Sequence, residues 1–153
     1  MATTTAAITL TSSDLLTNAL ALSASMTLYQ NGTTATGLDE CNYHRANIPT
    51  GTNFDLIQDS AALSEDASYV YIINKNTVVT DYVIISINNE VIGRLYAGDW
   101  AFFPWDNDLT DTEGITDPSG NDSSIEIEAV GNEVTIEYAL FHNGETLLTA
   151  ADS

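Results

Sequence analysis

Apolar and polar residues alternate along most of this chain, and a period of two is the mark of a strand with one face covered. From Leu20 to Tyr29, one side reads Leu20, Leu22, Ala24, Met26 and Leu28. The other side reads Ala21, Ser23, Ser25, Thr27 and Tyr29. The Ser and Thr content disfavours a helix, although Asp14 offers a cap to a short turn through Leu15 and Leu16. A strand is predicted here, followed by an Asn31-Gly32 turn.

Residues 30–68 are less regular, with Gly32, Gly37, Pro49 and Gly51 breaking the pattern, and short strands are expected at 43–48 and 54–57. The clearest strands follow at 69–73 and 82–87. Asn88-Asn89 predicts a tight hairpin into Val91-Ile92, because Asn tolerates the positive φ such turns need. The aromatic run Trp100-Ala-Phe-Phe-Pro-Trp105 comes next, then an irregular polar loop over 106–124. A last hairpin is predicted from Ile125, Ile127 and Ala129, through Gly131-Asn132, to Val134, Ile136, Tyr138 and Leu140. Glu126, Glu128, Glu133 and Glu137 would face water. About eight short antiparallel strands predict an all-β fold, a single β-sandwich or jelly-roll-like domain over 1–142, with a loose tail at 143–153. A closed barrel is the alternative.

At 153 residues the chain is long enough for one domain with a core of its own. Charge changes the picture. The chain carries 22 acids against 3 Lys and Arg, a net charge of −19. Arg45, Lys75 and Arg94 cannot neutralise a run of phosphates, so nucleic acid is disfavoured as a partner, as is an anionic membrane surface. The acids are uneven: residues 69–105 hold three acids and two bases, whereas 106–153 hold twelve acids and no base. The middle third is also the most apolar, and there a core or an interface can form without burying charge. Cys41 is the only cysteine, so no disulfide framework supports the fold. No basic residue precedes Arg45 to form a secretory leader, and no apolar run is long enough for a membrane helix.

Little in the sequence points to catalysis. Cys41 and His44 lie close together, but in a polar stretch without a framing motif, and His142 is the only other histidine. No nucleophile elbow and no phosphate-binding glycine loop is present. A zinc site would want more ligands than Cys41, His44 and His142. Asp106, Asp108 and Asp111 could offer oxygens to calcium. The loop nevertheless lacks the glycine and the closing Glu of an EF-hand, and it reads as a solvated acidic loop. No enzyme, no cofactor and no metal is expected.

The aromatic run is the most informative segment. Trp100, Phe102 and Pro104 share one face of a strand, and Ala101, Phe103 and Trp105 share the other. A strand with two apolar faces lies between packed layers or presents one face to another chain. Pro104 suits an edge. Trp100, Phe102, Phe103 and Trp105 are the candidate interface, with Arg94 as an ion-pair anchor.

Residues 69–74, 80–86, 92–105 and 134–141 together resemble small structural proteins of tailed bacteriophages. The resemblance covers about half of the chain and lies in the cadence of its strands. It implies a virion protein made in the host cytoplasm, a capsid decoration or cement protein that binds the outer shell in many copies. Its partners would be the major capsid protein or another virion protein, and sister copies in a homo-oligomer. A binding module of a tail or fibre that recognises a glycan or receptor is the alternative.

Overall fold

The computed structural model describes residues 4–14, 19–29, 37–38, 40–58, 68–87, 89–105 and 124–142. Ten strands are found among them, and no helix. In chain order they are β1 (Thr5–Ser12), β2 (Leu20–Thr27), β3 (Glu40–Ile48), β4 (Asn53–Gln58), β5 (Ser68–Asn74), β6 (Tyr82–Ile87), β7 (Glu90–Tyr96), β8 (Trp100–Trp105), β9 (Ser124–Val130) and β10 (Val134–His142). Among the described residues β1 and β2 pair only with each other. The other eight form two four-stranded sheets, ordered β3-β10-β5-β8 and β4-β9-β6-β7.

The pairing is nested. β6 pairs with β7, β5 with β8, β4 with β9 and β3 with β10, all antiparallel. One long hairpin with its tip between β6 and β7 has been rolled up, and successive pairs fall alternately into the two sheets. This is the jelly-roll form of the expected sandwich. At the tip, Asn89 of the predicted turn takes a φ of 65°, while Asn88 lies outside the described residues.

Alternation then fixes the core. In the first sheet Ile48, Val70, Ile72, Val134, Ile136 and Leu140 point inward, and in the second Val83, Ile85, Leu95, Ile125 and Ile127 meet them. β4 breaks strict alternation with a register shift between Asp55 and Ile57. A bulge there lets two successive residues, Leu56 and Ile57, both be buried.

The last predicted hairpin is not one. β9 and β10 lie in different sheets, so Gly131-Asn132 is a corner that carries the chain across the core. The corner is held by the strand beside it: Asn132 Nδ2 donates to both carboxylate oxygens of the buried Asp81, just before β6, at 3.1 and 3.3 Å. Asn74, fully buried at the end of β5, donates to the Leu95 carbonyl at 3.0 Å, and its Oδ1 accepts from the Asn76 amide. A second correction concerns Glu126. It does not face water but is buried on the second sheet, where it accepts from Asn53 Nδ2 at 2.7 Å. The loop at 106–123, with Asp106, Asp108 and Asp111, and the tail at 143–153 lie outside the described residues.

A candidate interaction surface on the first sheet

The register of β8 against β5 pairs Tyr71 with Phe102 and Ile73 with Trp100. Val70 and Ile72 point into the core, so Tyr69, Tyr71 and Ile73 point out. β8 therefore divides its aromatic run. Trp105 fills the core at 3 % exposure and Phe103 packs against that core from the edge. Trp100, 50 % exposed, and Phe102 stand on the outer face. Two of the four aromatics expected at an interface are thus core residues.

The outer face of an antiparallel sheet is ordinarily polar. Here it carries two groups of touching rings. Tyr69 stacks on Phe102 at 5.5 Å, Tyr71 lies 6.4 Å from Trp100, and Phe102 meets the edge of Phe141 on β10 at 6.3 Å. Aromatic pairs of this kind add about 0.5–1.5 kcal/mol each beyond the area they cover.

A polar rim borders the rings. Glu137, outward on β10, meets Lys75 at 3.5 Å and Arg45 at 4.0 Å. A hydrogen bond from the Tyr43 phenol, more than either cation, holds Glu137 below the usual carboxylate range, and the same bond pushes the Tyr43 phenol up. Two of the three cations of the chain thus serve this face. The third, Arg94, does not: it lies on the outer side of the second sheet, 5.3 Å above the ring of Tyr82. Arg94, expected beside Trp100 and Phe102, thus lies on the opposite face of the sandwich from them.

Sequence reasoning did not assign the N-terminal hairpin to this surface. Leu28, just past β2, is buried, and its amide donates to the Thr4 carbonyl, which closes the base of the hairpin. From that base, Ala6, Ile8, Ala24 and Met26 look across a groove of about 550 Å³ at Tyr71, Trp100, Phe102 and Phe141. Both walls are apolar. The alternation of β2 was visible in the sequence, but the distant strands that face it were not.

Other candidate chemistry is dispersed. Cys41 and His44 are three residues apart on β3 and so point to opposite faces. His44 stacks on Tyr138 at 5.4 Å, and partial burial pushes the Cys41 thiol up, away from the reactive thiolate. His142 contacts Asn42 at 3.0 Å and Glu40 at 3.9 Å. Among the described residues no three His, Cys, Asp or Glu side chains come together in a group able to hold a metal ion.

No protein-family model matches the chain, and no curated protein matches it in sequence. The surface must therefore be read from its own chemistry: an aromatic sheet face with a short charged rim and an apolar ribbon across a groove from it. It suits contact with another surface.

Proposed function

We propose that this protein acts by assembly, as a non-enzymatic structural protein of a tailed-bacteriophage virion that decorates the outer shell in many copies. The observation that carries the reading is the ring layer of Tyr69, Tyr71, Trp100, Phe102 and Phe141 on the outside of a sheet, in a chain of net charge −19. Such a plane is left apolar only at a cost in solubility, and contact with a partner is what offsets that cost. The acidic remainder keeps the exposed parts of neighbouring copies apart and in water. A jelly roll agrees with this role, since shell proteins use it, but lectin domains use it too, so the fold alone does not decide.

A second reading rests on Trp100 and Tyr71, two outward rings beside a groove, which is an arrangement able to stack on sugar. One experiment separates the two readings. Antibodies raised against the protein are used to label phage particles purified from a lysate of the host that makes it, and a glycan array is probed in parallel. Dense labelling over the shell, with no glycan bound, is the expected result. Particles without label overturn the decoration role, and glycan binding lost in Trp100→Ala gives the surface to sugar.

A further inference from the structure

A two-stranded ribbon on its own is marginal in water, because it buries little area and both of its edges are unpaired. Among the described residues β1 and β2 pair only with each other, over eight residue pairs from Thr5↔Thr27 to Ser12↔Leu20. The register sorts the ribbon into two faces. Ile8 lies opposite Ala24 and Leu10 opposite Leu22 on one face, and Thr9 lies opposite Ser23 on the other. The apolar face is uncovered: Ile8 is 43 %, Leu10 48 %, Leu22 55 % and Met26 47 % exposed. Near the base this face has the aromatic groove before it, and toward the tip it has water.

Charge selects the occupant. Asp14 is the only charged side chain in the first 29 residues of a chain with net charge −19. A cationic partner would be drawn to the acids and would gain no attraction from a neutral ribbon. A partner as anionic as this chain is repelled elsewhere and meets the least repulsion here. Another copy of this chain fits that description, and a self-complementary patch is what symmetric assembly needs. We propose that the apolar face of the β1–β2 hairpin, together with the ring layer across the groove, is a self-association surface occupied by a second copy of this chain. The inference rests on the assembly reading and names its copy-to-copy contact.

Salt gives the contact a signature. Screening weakens repulsion between two anionic copies and leaves apolar contact intact, so self-association tightens as salt rises. A contact built on ion pairs loosens instead. Sedimentation velocity on the full chain, from low micromolar to several hundred micromolar protein and at low and high sodium chloride, reads both. The expected result is a concentration-dependent oligomer that salt strengthens, and a loss of affinity of at least about tenfold in the Leu10→Ser/Leu22→Ser double variant. Leu10 and Leu22 lie outside the sandwich core, so near-ultraviolet circular dichroism of the variant should match wild type. Val91→Ser, exposed on β7 of the other sheet, should associate as wild type does. A wild-type chain that stays monomeric throughout overturns the inference, as does an oligomer that salt dissolves or that the double variant leaves unchanged. A monomer that still labels phage particles overturns this contact alone, whereas an oligomer absent from particles overturns the virion role alone.

Discussion

Gly131 is where one side chain would do the most harm. Its φ of 98° is in the left-handed region, and a Cβ there would sit 2.7 Å from Asp81 Oδ1. Neither the backbone nor the buried carboxylate can yield cheaply, because Asp81 is fixed by Asn132. Gly131→Ala is expected to cost about 2 kcal/mol or more of unfolding free energy, measured by urea denaturation. An unchanged midpoint would mean that the corner is looser than its geometry. Glu137 makes a prediction about protons. Its carboxyl is held below the ordinary range mainly by the Tyr43 phenol, so the stabilisation it gives is present above the unfolded-state value and is lost as pH falls through the lowered, folded-state value. In Tyr43→Phe the carboxyl should titrate closer to the ordinary range, read from its carbon chemical shift by NMR. The Lys75 and Arg45 contacts should still leave some depression. At this scale the sequence was silent, since it ties neither Tyr43 to Glu137 nor Asp81 to Asn132 across the distances that separate them in the chain.

β8 divides its aromatic rings between the core and the outer face. Its alternation was legible: Trp100 and Phe102 on one side, Phe103 and Trp105 on the other. Which side faced the core was not, because both sides are apolar and only the register with β5 decides. Two substitutions separate the faces. Trp105→Ala should cost about 3–5 kcal/mol through the cavity it leaves, whereas Trp100→Ala should change stability by no more than about 1 kcal/mol. Equal losses in a thermal or urea titration would contradict this division of the strand. The β9–β10 corner teaches the complementary lesson. Gly131-Asn132 between two alternating runs looks like a hairpin turn, yet a sandwich corner uses the same short turn chemistry. The choice depends on partners far away in sequence, with β10 paired to β3 and β5 and β9 to β4 and β6. β1 was not marked out as a strand, because Thr-rich Thr5–Ser12 has only Ile8 and Leu10 as large apolar residues.

For the molecule as a whole, the fold class was legible and the candidate surface only half so. Alternation and turn residues define an all-β sandwich, but they do not show that a ring layer and an apolar ribbon converge on one side. Rolling the nested hairpin brings β5, β8 and β10 side by side, and the β1–β2 ribbon lies across a groove from their rings. Among the described residues the acid at the rim of this side is Glu137, already met by Lys75 and Arg45, so the ring layer can be covered with little burial of charge. The central claim is that it is covered when the protein works, and radical footprinting reads this side chain by side chain. In dilute protein Trp100 and Met26, both about half exposed, should oxidise readily while Trp105 is spared. In the assembled state Trp100 and Met26 should become protected, while Tyr96, exposed on the other sheet, reacts as before. Equal oxidation of Trp100 and Met26 in the dilute and assembled states would contradict the account.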